Sequence, residues 1–241
     1  MPALLGVRPA LADLTWPDAE DHATGGVLAV PVGATEQHGP HLPLCTDTEI
    51  AVAIVTGLAR ERAVVVAAPP LAYGSSGEHA GFAGTLSIGQ SALELVLVEL
   101  FRSACATFER VLLVSTHGGN AQPVARSVSR LRGEGRDVRG WGPKWPGDAH
   151  AGRTETSIML ALAPGRVRRV QATAGARAPI AELLPRLRSD GVRAVSENGV
   201  LGDPAGAHAE EGLELLSSAT HDLATMLDTW LSTPAPSQVQ P

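Results

Sequence analysis

A chain of 241 residues with 19 Lys+Arg against 25 Asp+Glu carries a net charge of −6, and 44% of it is hydrophobic. That apolar content builds a substantial core and excludes wholesale disorder. The acidic balance excludes a nucleic-acid surface, and no run of like charge suggests a membrane partner. Cys45 and Cys105 are too few for a disulfide scaffold. The first residues, MPALLGVRPALADLTW, hold neither a basic leader nor a long apolar run, so a soluble cytoplasmic protein is expected.

Taken in chain order, short β-branched runs alternate with longer helical patterns. Residues 26–32 (GVLAVPV) read as a buried strand. A helix follows over 47–61, with Ile50, Ala53, Ile54 and Leu58 at helical spacing and Asp47 or Thr48 placed to cap it. Residues 63–68 form a second strand, 92–108 a helix, 110–115 a third strand, and 120–133 a helix closed by Gly133 as C-cap. A weaker strand is expected at 137–141 and helices at 154–162 and 207–230, while 171–204 should be irregular or carry short strands. The fold class that follows is α/β, three layers of α/β/α around a mostly parallel sheet, in one domain over 1–232. Residues 233–241, polar and rich in proline, are expected to be a disordered tail.

Ligands of open α/β sheets bind outside the carboxyl ends of the strands, and reactive side chains collect there in this sequence. The first strand runs into GATEQHGPHLPLCTDTE, where Glu36 and His38 are two apart on extended backbone and Asp47 opens the next helix. Pro40, Pro43 and Gly39 stiffen that loop. The third strand ends in STHGGN, which presents His117 beside two glycines, and GDAHAGRTETSIML presents His150 and Glu155 at a helix start. Any one of these has an ordinary explanation as a turn or cap residue. Their recurrence in three loops on one side of the sheet makes a metal centre the better reading. Histidine with carboxylate and no thiolate suits zinc, Fe(II) or manganese. No G-x-S-x-G elbow, dinucleotide fingerprint or P-loop is present, and Cys45 lies among acids that disfavour a nucleophilic thiolate.

The strings GATEQHGPHLPLCTDT, THGGN and HAGRTETS resemble the creatininase family of metal-dependent amidohydrolases. The resemblance implies hydrolysis of an amide C–N bond at two divalent ions, Fe(II), zinc or manganese. It places their ligands on Glu36, His38, Asp47, His117 and Glu155, with Asp47 bridging, and matches His150 to an active-site histidine. Glu155 is counted with His150 in the catalytic set. Creatininase itself has a glutamate where this chain has Gly119, which disfavours creatinine as substrate and leaves Glu155 to supply the carboxylate.

Three further strings, AYGSSGEHAGFAGTLSIG, GARAPIAELLP and AVSENGVLGDPAGAHAEEG, are similar to a peptide-processing branch of that family. This implies a modified precursor peptide as substrate, trimmed of a C-terminal dipeptide during redox-cofactor biosynthesis, and a homo-oligomeric enzyme. The alternative is an amidohydrolase acting on a small cyclic amide or formamide. Glu78, His79, Phe82 and Trp145 are candidates to line the substrate pocket. Arg153 and Arg177 are candidates to hold a substrate carboxylate, because an arginine fork suits that group.

Overall fold

A computed structural model describes residues 10–233. The first nine residues and the expected tail beyond Thr233 lie outside the described residues.

Four strands, β1 (Val27–Val32), β2 (Val65–Ala67), β3 (Arg110–Ser115) and β4 (Asp137–Trp141), form one parallel sheet in the order β2-β1-β3-β4. All six residues of β1 are buried, as a central strand covered on both faces requires. Alternation along the strands divides the core. Val27 and Ala29, with Val65, Leu112 and Val114, face helices α2 (Thr46–Glu61), α5 (Arg153–Leu162) and α8 (Ala209–Leu231). Leu28, Val30 and Val32, with Val66, Val111 and Leu113, face α3 (Gln90–Ala104) and α4 (Ala121–Gly133). This is the three-layer α/β/α arrangement expected from the sequence.

The topology also fixes where a ligand can bind. The chain leaves β1 through α2 to reach β2 on one side, then returns through α3 to β3 on the other. Loops depart in opposite directions between β1 and β3, and a crevice opens at their carboxyl ends.

Helix α1 (Trp16–Ala23) opens on a capping box of Thr15 and Asp18. Three local expectations are corrected. Residues 171–204 are not irregular throughout: they contain α6 (Ile180–Asp190) and the single turn α7 (Val192–Val195). Pro185 inside α6 masks the helical pattern, yet Leu187 is buried against Leu183, Val192 and Leu201 and holds the helix in place. Asp47 and Thr48 do not cap α2; the N-cap position is Cys45, and the Thr48 hydroxyl donates to Ala34 O at 3.2 Å. Gly133 remains inside α4, and Gly135, at φ +80°, makes the left-handed turn.

Candidate metal centre

The loop after β1 is pinned by backbone bonds from Glu36 N to Leu44 O (3.0 Å) and from Leu42 N to His38 O (3.3 Å). Glu36, Gln37 and His38 are consequently buried. Asp47 enters from the first turn of α2, His117 from the end of β3, His150 from a bridge to Leu201, and Glu155 from the first turn of α5. The structure brings all six sequence-predicted residues into one cluster. His38 Nε2 lies 3.4 Å from Asp47 Oδ1 and 3.8 Å from Glu155 Oε2. His117 lies 3.2 Å from Glu36 Oε2 through Nε2 and 3.6 Å from Asp47 Oδ2 through Nδ1. His150 Nδ1 lies 3.7 Å from Glu36 Oε1.

The hydrogen-bond network assigns the tautomers. His38 Nδ1–H donates to Glu36 O (3.1 Å), His117 Nε2–H to Ser75 O (2.9 Å), and His150 Nε2–H to Gln37 O (2.8 Å). With each ring neutral, its other nitrogen faces a carboxylate, lone pair against lone pair. Both carboxylate oxygens of Glu36, Oδ2 of Asp47 and Nε2 of His38 are buried with no hydrogen-bond partner. Buried groups of this kind require a proton or a cation between them. A backbone carbonyl behind each ring is also the support typical of metal-ligating histidine. The donor set fits divalent ions: Glu36, Asp47 and His117 form one set of atoms mutually within 4.8 Å, and His38, Asp47 and Glu155 form another, with Asp47 in both. Glu36, His38 and His150 make a third set.

Electrostatics agree with that chemistry. Burial opposes a charge on His38 and on His117, but Asp47 with Glu155 for the first, and Glu36 with Asp47 for the second, raise both to about 10. A field that binds a proton so firmly also attracts a metal cation. Burial, with His38 and His79 nearby, holds His150 well below the ordinary histidine range, so it is neutral at pH 7. Burial likewise pushes Glu155 up to about 7, against the pull of His38.

Of the remaining candidates, His79 joins the cluster: it accepts from Gln37 Nε2 at 2.8 Å, and its Nε2 faces Glu36 Oε1 at 3.4 Å. Glu78 Oε1 stands 3.7 Å from His117 Nε2. Trp145, with Trp141, walls a cavity of about 490 Å³ that reaches Asp47, His117, His150 and Glu155. Phe82 packs under α6 and α7, beneath the guanidinium of Arg193, and lines neither cavity at the centre. Arg153 and Arg177 are placed away from it as well. Arg153 is held by Glu211 at 2.9 Å and Arg177 pairs with Asp203, so the expected carboxylate anchors are already bound to acids.

Sequence reasoning missed Gln37 and Asn120. Gln37 Nε2 also donates to Gly199 O (3.1 Å) while its Oε1 accepts from Gly39 N (2.8 Å), so its side chain ties the loop to His79 and Gly199 and its backbone O to His150. Asn120 accepts from Ser75 N (2.9 Å) and donates to Gly33 O (3.0 Å), joining the loops after β1 and β3. For Asn120 the available signal was its place inside the HGGN string; Gln37 offered none.

Comparison with known proteins bears on the same centre. The creatininase family model, described as creatinine amidohydrolase, matches residues 12–227. A mycofactocin precursor peptide peptidase of Mycolicibacterium smegmatis is 50% identical over 217 residues, covering 87% of each chain. A creatinine amidohydrolase of Pseudomonas putida is 28% identical over 65% of this chain and 73% of its own. The solved structure "Creatininase Mn" superposes with a TM-score of 0.77 at 23% identity, over 93% of this chain and 99% of that one, which shows a shared fold. On the family match over nearly its whole length, the chain belongs to the creatininase family.

Proposed function

We propose that this chain is a metal-dependent peptidase that hydrolyses an amide bond near the C-terminus of the modified mycofactocin precursor peptide and releases a dipeptide. One observation carries the reading: three buried imidazoles each give an N–H to a backbone carbonyl and turn the other nitrogen on a carboxylate. The 50% identity to a relative named for that activity supplies the substrate class. Glu36, Asp47 and His117 would hold one divalent ion and His38, Asp47 and Glu155 a second, as Fe(II), zinc or manganese. Such ions, when bound, supply Lewis acidity that polarises a carbonyl and lowers the pKa of water to roughly 7.

The chain's own residues do the rest. His150, neutral with an open Nδ1, can take a proton and pass it to the departing nitrogen, which is too basic to leave as an anion. Glu155 would act as a ligand of the second ion rather than as a base. His79 turns Nε2 toward Glu36 Oε1 at 3.4 Å, and the indoles of Trp141 and Trp145 wall the smaller cavity. Gly119 has no room for a side chain, because a Cβ there would meet Ser75 O, Glu78 Oε1 and His117 Nε2 closer than 3.0 Å. In this reading Glu155 supplies the carboxylate that creatininase carries at that point. The same reading takes the chain as one cytoplasmic, homo-oligomeric domain over 1–232. Among the described residues no helix is long and apolar enough to cross a membrane.

The metal-loaded protein, incubated with precursor peptide and with creatinine, should release a dipeptide detectable by mass spectrometry, lose that activity to a chelator, and leave creatinine intact. Turnover of creatinine alone would favour the second reading, a small cyclic amide, for which the relative from P. putida argues. Turnover of neither, with metal bound, would sink both. Metal analysis after anaerobic purification identifies the ion.

A further inference from the structure

Two cavities meet at the cluster and share His117, Gly118, Ala121, Ala149 and His150. The second, of about 890 Å³, runs from Glu78 and His79 along α6. Its far wall is apolar, formed by Ile180, Leu184, Leu187, Val192 and Leu201. Among the described residues it also holds one arginine, Arg188, whereas Trp141 and Trp145 line the smaller cavity and no arginine or lysine does.

We infer that the cavity along α6 is the subsite for the C-terminal dipeptide, and that Arg188 receives its terminal carboxylate. The inference deepens the peptidase reading and rests on it. Unlike Arg153 and Arg177, Arg188 has no carboxylate partner among the described residues. Asp190 lines the same cavity, but residues two apart on a helix do not face each other, so it leaves the guanidinium free. A planar fork with an unused donor pair is the side chain that best binds a carboxylate in bidentate fashion.

Length and direction agree. The end of α6 presses on the turn that carries Glu78 and His79: a Cβ on Gly191 would lie 3.0 Å from Glu78 O. Arg188 stands three residues before Gly191, about 4.5 Å of helical rise. Two residues of extended chain reach about 7 Å. A dipeptide freed beside His117 would thus have its new ammonium next to Glu78, its side chains on the apolar wall, and its carboxylate at Arg188. The site would measure its cut from the free C-terminus of the substrate.

The test uses leucyl-phenylalanine, as free acid and as C-terminal amide, titrated calorimetrically into the metal-loaded full chain and into Arg188→Ala and Arg188→Lys. The wild-type protein is expected to bind the acid at least about 10-fold tighter than the amide, Arg188→Ala to lose that preference, and Arg188→Lys to keep part of it. In parallel, Arg188→Ala should raise KM for the precursor peptide with little change in kcat, and leave KM for the peptide amide unaltered. No binding of either form, equal binding of both by the wild type, or a preference that survives Arg188→Ala overturns the subsite, even if the precursor is cleaved. An Arg188-dependent preference in a protein that cleaves no peptide supports the subsite and overturns the peptidase reading instead.

Discussion

Gly119 and His41 show how tightly single residues are constrained around the cluster. Because a Cβ at Gly119 would meet Ser75 O and His117 Nε2, neither of which can swing aside freely, Gly119→Ala must displace His117. We expect bound metal and turnover to fall about 10–100-fold, as when the support of a ligating histidine is removed. Unchanged metal content on elemental analysis would contradict this. His41 is buried, bonded to Thr156 Oγ1 at 2.9 Å, and lowered to about 4, by burial first and by His38 second. An unfolded chain protonates histidine near 6.5. Between those values the unfolded state holds more protons, so stability rises with pH across 4–6.5 and is lost as pH falls through that window. The loss should be on the order of 2 kcal/mol. His41→Gln keeps an atom for Thr156 and removes the titration, so its melting temperature should change less steeply over that range; an unchanged slope would exonerate His41. Legibility at this scale divided by chemistry. Glu36, His38, Asp47, His117, His150 and Glu155 could be found because their types recur beside strand ends. Gln37 could not, because its importance lies in contacts with His79 and Gly199, remote in sequence. Arg153 and Arg177 misled because sequence spacing does not reveal that Glu211 and Asp203 already hold them.

Elements are positioned by close approaches that the periodicity does not announce. Helix α8 crosses α5 at Gly212, where an added Cβ would meet Ser157 O, Ser157 C and Ile158 N, all backbone atoms. Gly212→Ala must part the two helices, and α5 carries Glu155. Overpacking of this kind costs about 1–3 kcal/mol. In a chain of this size each kcal/mol lowers the melting temperature by about 2–4 °C. Gly165, by contrast, has nothing within 4 Å of the same added atom and no positive φ, so Gly165→Ala should leave the melting temperature nearly unchanged. Equal shifts for the two variants would refute the account of the crossing. The strands β1 and β3 were legible to within a residue because runs buried on both faces are uniformly apolar, whereas the edge strand β4, with only Val138 buried, gave a weaker signal. Helix α6 was not, since Pro185 breaks its pattern and only one side of it, around Leu187, is held by other residues.

For the whole molecule, the cluster is the place where elements distant in sequence meet. Its donors come from the loop after β1, from α2, from the end of β3 and from α5, so a bound cation would tie the sheet to a helix that arrives much later in the chain. Without one, Glu36 and Asp47 are buried carboxylates with imidazoles as their principal partners, and Glu155 is held by the Ala151 N–H with His38 beyond it. Metal that binds only the folded state stabilises it by mass action, about 2.7 kcal/mol at 100 times Kd. Chelation should therefore lower the melting temperature by about 5–10 °C, given the size of the chain. Asp47 belongs to two of the donor sets, so Asp47→Asn weakens both at once, whereas a substitution at Glu155 touches one. Calorimetric scans with and without added metal should then show no metal-dependent shift for Asp47→Asn and a partial shift for Glu155→Gln. A full shift in the Asp47 variant would mean that the cation is held by other groups, and the shared-carboxylate arrangement would have to be abandoned.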